Sequence, residues 1–183
     1  MIASAGLFSF ITACNSSGEK SASTDTTAAS SPASSSTGDK NIATVHAIND
    51  AISSGDVGKL DQYIAKDGVD HSGDHGEVKG LDSIKAELGH MHDTYKDLKL
   101  ESVEDAANSD YVFSLTRFRG TNTVASMGAP AGTYFDMNSV GVTKFGSDGK
   151  VTDHWLYMSM ADAMKMMGSN NMEGKKMDTK KHK

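Results

Sequence analysis

The sequence predicts an α+β domain in which helices come first along the chain and an antiparallel sheet follows. Between Ile42 and Tyr95 the apolar residues recur at helical spacing. From Leu98 onward they alternate with polar residues at a period of two, which is typical of strands with one buried face. The Gly146-Ser-Asp-Gly149 turn then joins two strand-like runs into a hairpin.

Three helices are predicted in the first half of the domain. The first carries an apolar stripe from Ile42 to Ile52 and ends at Gly55, a residue type common at helix C-termini. Asp56 is a candidate N-cap for a short second helix. A segment rich in Gly, Asp and His, 66–80, is expected to be a loop, and the third helix is predicted over 81–95.

The predicted sheet begins with an extended segment at Leu98. Further strands are predicted at 111–118, 132–145 and 150–158, and a last helical turn follows from Met160. We therefore expect one domain over 41–167 and a flexible tail rich in Lys and Met over 168–183.

The composition excludes several classes of function. The chain has 183 residues and a formal net charge of −6, which argues against a nucleic-acid-binding surface. Its single cysteine rules out both an intrachain disulfide and a zinc site built from several thiolates. Because the sequence has no phosphate-binding glycine loop and no metalloprotease motif, we expect no cofactor.

The N-terminus has the features of an export signal. Residues 1–13 are apolar and uncharged but too few to span a bilayer, which takes about 20 helical residues. The tetrapeptide Ile11-Thr12-Ala13-Cys14 looks like a bacterial lipobox, whose cysteine is acylated and anchors the protein to a lipid bilayer. No Lys or Arg precedes the apolar run, so either the true start lies upstream or the signal is atypical. This interpretation places the protein in the bacterial cell envelope.

The residues after Cys14 are expected to form a tether over 14–40. Residues 15–40 contain no aromatic side chain and no aliphatic side chain larger than Ala, so they cannot bury enough apolar surface to fold. The alternative is that 1–13 form a buried strand and Cys14 is an inert thiol. We disfavour it because this polar segment offers nothing to pack such a strand against.

Five local strings, in the order of the predicted elements, resemble the SnoaL-like branch of the NTF2-like superfamily over about 41–167. They are Asp70-His71, Val78–Ile84, Thr116–Asn122, Gly128–Gly132 and Asp148–Trp155. The resemblance implies a curved sheet wrapped as a cone around the three helices, with an internal pocket at its open end. Members of the superfamily include cyclases, isomerases, hydrolases and proteins that only bind ligands, so the fold does not decide the function.

The sequence departs from this family at three positions associated with catalysis. The acid/base aspartate that often follows the tryptophan of the last strand is Leu156 here, which cannot transfer a proton. A second carboxyl of the related steroid isomerases falls near Gly141, and a histidine of the middle strands is replaced by Asn122. One position agrees, because Asp70 aligns roughly with the general base of the steroid isomerases.

Asp70 and His154 are the candidate catalytic pair. A carboxylate that orients an imidazole can transfer protons near neutral pH. The alternative is a packed core histidine and an aspartate that forms an Asx turn. By strand alternation and by the resemblance, the ligand-binding candidates around this pair are His71, Thr152, Leu156, Met158, Gly141 and Phe113.

Two functions remain open. The one we favour from the sequence is a membrane-tethered domain that binds a small apolar or amphipathic ligand in its pocket without turnover. The alternative is a small hydrolase, isomerase or cyclase that uses Asp70 and His154. Trp155 and Tyr157 lie on the opposite strand face and could pair two copies of the chain as a homodimer.

The sequence contains seven histidines and eleven methionines. His90 and His92 are two residues apart on a predicted helix and point about 200° away from each other, so they cannot share an ion. With His71 and His75 in a glycine-rich loop, no metal site is predicted. The eleven methionines can bind soft copper(I), but most are expected to fill gaps in the core.

Overall fold

The computed structural model describes residues 36–73, 76–125 and 129–166. The predicted signal segment 1–13, the lipidation candidate Cys14, residues 15–35 of the predicted tether and the predicted tail 168–183 all lie outside the described residues. Within the part that is described, no helix is long and apolar enough to cross a membrane.

The described chain contains helices and six strands. The helices are α1 (Thr37–Ser54), a short 3₁₀ helix (Val57–Gln62), α2 (Leu81–Thr94) and α3 (Met160–Met166). The strands are β1 (Ile64–Gly73), β2 (Gly76–Lys79), β3 (Tyr95–Ala107), β4 (Tyr111–Asn122), β5 (Tyr134–Phe145) and β6 (Val151–Met158). The predicted α+β class, with helices before most of the sheet, is confirmed.

The six strands form one sheet in the order β2-β1-β6-β5-β4-β3. The sheet is mixed, because β1 pairs in parallel with β6 while the other neighbours are antiparallel. The prediction of a purely antiparallel sheet is therefore wrong at this one junction. The error follows from the segment 66–80, which we expected to be a loop and which contributes to β1 and β2.

The segment 66–80 escaped prediction because its residues lack apolar alternation. Its two strands pair with each other, and β1 also pairs with β6, which is distant in sequence, as in Asp70 opposite His154. Strand preference depends strongly on such tertiary context, so a segment rich in Gly, Asp and His can still be extended.

Helix α1 begins at Thr37, four residues before the expected start of the domain. Ser36 and Asp39 form a capping box, in which Asp39 N–H donates to Ser36 Oγ and Ser36 N–H donates to Asp39 Oδ2. The helix ends at Gly55, which has a φ of 76° and donates its N–H to the last turn, as predicted.

The helices pack on one face of the sheet, which we call the inner face. Val45 of α1 and Ile84 of α2 meet Val112 and Val151 of the sheet in one buried cluster, with Leu60 of the 3₁₀ helix fully enclosed. A second cluster lies at the other end of the inner face and contains Ile52, Tyr95, Leu98, Phe135 and Met137. The candidate site lies between helices and sheet, beside the first cluster.

Candidate functional site

A cavity of about 100 Å³ lies between the helices and the inner face of the sheet. Eight aliphatic side chains line it: Val45, Ile48, Ile52, Ile64, Val69, Ile84, Leu88 and Val151. Four polar side chains complete the lining, and they are Asn49, Asp70, Thr143 and His154. An apolar cavity with a few convergent polar groups is the usual composition of a small-molecule site.

Asp70 and His154 meet on the wall of this cavity. They are register partners on β1 and β6, the one parallel pair of the described sheet. Directly opposed residues of neighbouring strands project to the same face, and Asp70 Oδ1 lies 3.3 Å from His154 Nδ1. The structure therefore brings together the two residues that the sequence singled out as a catalytic pair. Contacts of this length commonly shorten when a substrate binds.

The carboxyl group of Asp70 is ionised in this setting. Burial raises its pKa, but the contact with His154 and the N–H of Ser72, which donates to Asp70 Oδ1 over 2.9 Å, together hold the pKa below its ordinary value. Asp70 thus makes the Asx-type bond of the alternative interpretation and also contacts the imidazole. A carboxylate in this position favours a proton on Nδ1 of His154 and leaves Nε2 as the acceptor.

Gly141 leaves open the space in front of Nε2. This glycine lies on β5, two residues before Thr143, and Thr143 is the register partner of His154. A Cβ atom added at Gly141 would lie 3.4 Å from His154 Nε2. Any longer side chain would fill the approach to the ring nitrogen. The predicted role of Gly141 in the site thus acquires a structural reason, which is access to His154.

Three other predicted ligand-binding residues do not line the cavity. Thr152 is an extra residue in β6 where the register with β5 shifts, and its hydroxyl donates to Asp153 Oδ2 over 3.0 Å. The shift lets Val151 and His154 both face the cavity, which strict alternation does not allow. Leu156 and Met158 follow His154 toward the end of β6 and are exposed.

Phe113 lies on the outer face of the sheet. Its neighbours Val112 and Ser114 are buried under the helices, so alternation turns the ring outward, where it is 47% exposed. The prediction that Phe113 lines the pocket was therefore wrong. Phe113 instead lies in register with Val142, which is paired with Trp155, on the face predicted to form a dimer. The homodimer itself stays a prediction.

His71 is also on the outer face, and the prediction that it enters the pocket was wrong. Its contacts with Trp155 and Asp153 of β6 place the ring on that face. Its ring stacks on Trp155 with centroids 4.5 Å apart and planes 5° from parallel. Nε2 lies 3.1 Å from Asp153 Oδ1, and Nδ1 lies 2.8 Å from Glu77 Oε1. Two carboxylates on one imidazole stabilise its doubly protonated form.

The contacts with Asp153 and then Glu77 raise the pKa of His71 above its ordinary value of 6.5. A raised pKa in the folded state contributes stability that is full below about pH 6.5 and is lost as the pH rises through the folded-state value. We therefore expect wild type to exceed His71→Gln in Tm at pH 5.5, and the difference to shrink by pH 8.5. Thermal denaturation followed by circular dichroism measures it. An advantage that grows with pH would contradict this assignment.

The histidines outside this region do not converge on a metal site among the described residues. His75 and Asp74 lie outside the described residues. His90 contacts Asp93, whereas His92 Nε2 approaches the carbonyl oxygen of Ile52, so the two point to different partners. Across 36–73, 76–125 and 129–166, no three His, Cys, Asp or Glu side chains converge in a way that could hold a metal ion.

Sequence reasoning missed Asn49 and Thr143 as polar lining residues. Asn49 belongs to the apolar stripe of α1, four residues after Val45, and a polar residue on a buried stripe is a signal that could have identified it. Its Nδ2 donates to Ser102 Oγ over 3.3 Å. Thr143 is the register partner of His154, a relation that emerges only once the hairpin register is known.

A mixed sheet with helices on one face, and a cavity between them that has Asp70 and His154 on its wall, define a class of small α+β domains with an internal cavity. The chain belongs to the SnoaL-like polyketide cyclase family, which it matches over residues 42–167. The family predicted from the resemblance is thus confirmed. No curated protein matches the sequence significantly.

Three solved structures illustrate the similarity of fold. TsrD from Streptomyces laurentii is 19% identical with a TM-score of 0.63, and the match covers 71% of this chain and 96% of TsrD. A SnoaL-like polyketide cyclase from Agrobacterium tumefaciens is 15% identical with a TM-score of 0.61, over 70% of this chain and 98% of that one. An LEH-like epoxide hydrolase of M. tuberculosis is 16% identical with a TM-score of 0.60, over 73% and 89%.

Proposed function

We propose that the domain is a small acid–base enzyme in which His154 exchanges a proton with a largely apolar substrate. The observation that supports this most directly is the 3.3 Å contact between Asp70 and His154 on the wall of an apolar cavity. The contact favours the enzymatic alternative over binding without turnover, which the sequence alone had favoured.

His154 and Asp70 have separate roles in this proposal. His154 Nε2 accepts a proton from the substrate or from a water molecule, and Asp70 holds the ring with its Nδ1–H toward the carboxylate. The imidazolium that forms is stabilised by the negative charge of Asp70. The lost family aspartate at Leu156 is therefore compensated by a base two residues earlier on the same strand.

The size and lining of the cavity limit the substrate. A volume of about 100 Å³ is below the roughly 300–1,000 Å³ of pockets that enclose a drug-sized ligand. We infer that only the reacting end of a substrate enters, and that the rest lies toward the exposed side chains of Leu156 and Met158. The side chains of Asn49 and Thr143 offer hydrogen bonds to one carbonyl or epoxide oxygen.

The names of the relatives suggest which reactions to test. A polyketide cyclase points to proton abstraction next to a carbonyl, and an epoxide hydrolase points to activation of water. Both need one base beside an apolar cavity. A panel of small ketones, 1,3-dicarbonyl compounds and epoxides therefore covers the proposal, with deuterium incorporation from D₂O and ¹⁸O incorporation from labelled water as the two readouts.

We expect wild type to accelerate at least one reaction of the panel and His154→Gln to lose about 10²–10⁴-fold of that rate. His90→Gln is the matched control, because His90 is an exposed histidine on α2 whose ring lies beside Asp93 and outside the cavity lining. Equal rates for wild type and His154→Gln, with ligand binding retained in both, would instead support a binding protein without turnover.

We also propose that Cys14 carries a lipid anchor and that the enzyme works in the bacterial cell envelope. The support is the Ile11-Thr12-Ala13-Cys14 string followed by a long polar segment. Cys14→Ser is expected to move the protein from the membrane fraction to the soluble fraction. Unchanged membrane retention of that variant would contradict the anchor without affecting the proposed chemistry.

A further inference from the structure

The C-terminal part of the sequence is rich in methionine. Seven of the eleven methionines fall in the last stretch of the sequence, at 158, 160, 164, 166, 167, 172 and 177. Methionine is normally a core residue that adapts to irregular gaps. A dense run at the end of a chain therefore needs a separate explanation.

The described methionines divide into two groups by exposure. Met137 is 4% exposed in the second core cluster, and Met91 packs against the same cluster. By contrast, Met158, Met160 and Met164 are 37%, 74% and 39% exposed. The expectation that most methionines fill the core therefore does not hold for these three, whose thioether groups are open to solvent.

The three exposed methionines lie close together along one short stretch. Met158 is the last residue of β6, and α3 starts at Met160. Ser159 fixes the corner between them, because Asp162 N–H donates to its Oγ over 3.0 Å and Ala163 N–H donates to its carbonyl oxygen over 2.9 Å. Met160 and Met164 are four residues apart on α3, a spacing that leaves Cβ atoms about 5–6 Å from each other.

We propose that Met158, Met160 and Met164 form a binding site for copper(I). Thioether sulfur is a neutral, soft ligand that selects copper(I) over hard ions such as Mg²⁺ and Ca²⁺. Three thioethers on flexible side chains can converge on one ion from a fixed corner and a single helical turn. The site shares Met158 with the proposed path of the substrate but includes neither Asp70 nor His154, and copper(I) binding does not depend on the proposed enzymatic function.

The test is an anaerobic titration of the full-length protein with copper(I), kept reduced by ascorbate, in competition with a chromophoric copper(I) chelator. Wild type is expected to bind one copper(I) per chain at this site. The variant Met158→Leu/Met160→Leu/Met164→Leu is expected to bind at least tenfold more weakly. Leucine preserves the apolar volume, so the fold is retained, which circular dichroism checks.

Met91→Leu/Met137→Leu is the matched control and is expected to bind copper(I) like wild type. Methyl NMR of the methionine side chains adds a local readout: copper(I) should shift the methyl signals of Met158, Met160 and Met164, and zinc(II) should not. The proposal is overturned if wild type fails to compete with the chelator. It is equally overturned if the triple variant retains wild-type affinity, which would place binding at other methionines.

Discussion

Asp70→Asn is expected to lower kcat/KM by about 10²–10⁴-fold on any substrate that the panel identifies. The reason is the tautomer of His154. The carboxylate of Asp70, 3.3 Å from Nδ1, is expected to hold the ring proton on Nδ1 and so to leave Nε2 free to take a proton. The side-chain amide introduced by Asp70→Asn can instead donate to Nδ1, which moves the ring proton to Nε2 and removes the base.

Asp67→Asn is the matched control, because Asp67 is an exposed residue of the same strand. It is expected to leave kcat/KM unchanged. Nitrogen-15 NMR of the His154 ring reports the tautomer directly, and the two Asn variants should differ there. If Asp70→Asn inverts the tautomer and leaves kcat/KM intact, His154 is not the base.

The pH profile gives a second readout of the same pair. Because the folded-state pKa of Asp70 is lowered, its contribution to stability is present above its ordinary value of 3.8 and is lost as the pH falls through the folded-state value. Activity that requires this carboxylate to be ionised should therefore persist through mildly acidic pH. The Asn variant should lack this acid-side dependence.

Much of the fold was predictable because it depends on local patterns. The apolar stripe of α1, its glycine terminus at Gly55 and the hairpin between β5 and β6 are encoded within windows of a few residues. Strand β1 was not predictable in this way. It is extended because β2 and β6 supply its hydrogen-bond partners, and β6 lies far along the chain, outside any local sequence pattern.

The candidate site also combines features that the sequence predicts with features that depend on strand pairing. Asp70 and His154 could be selected from residue type and from the family resemblance, and the structure brings them together. The sequence could not predict which face of the sheet His71 and Thr152 occupy. Their orientation depends on the pairing of β1 and on the extra residue in β6. A shift of one residue moves a side chain to the other face, so a pattern of strict alternation fails wherever a strand has a bulge.

Gly141 offers the sharpest test of which ring nitrogen meets the substrate. A methyl group at this position would lie 3.4 Å from His154 Nε2, an ordinary contact distance, and the glycine has no positive φ that a side chain would strain. Gly141→Ala is therefore expected to fold normally. It should even gain about 0.5–1 kcal/mol of stability, because glycine weakens the middle of a strand.

Gly141→Leu is expected to lower kcat/KM by at least about 10²-fold, because its side chain occupies the approach to Nε2 and displaces the reacting group. Gly141→Ala should fall between Leu and wild type in kcat/KM while it matches or exceeds wild type in Tm. Gly89→Leu, at a position with open space on α2, is the matched control for the added side chain. A loss of activity in Gly141→Ala with an unchanged or higher Tm separates blocked access from misfolding. A folded Gly141→Leu protein with wild-type kcat/KM would mean that the substrate reaches the pair from another side.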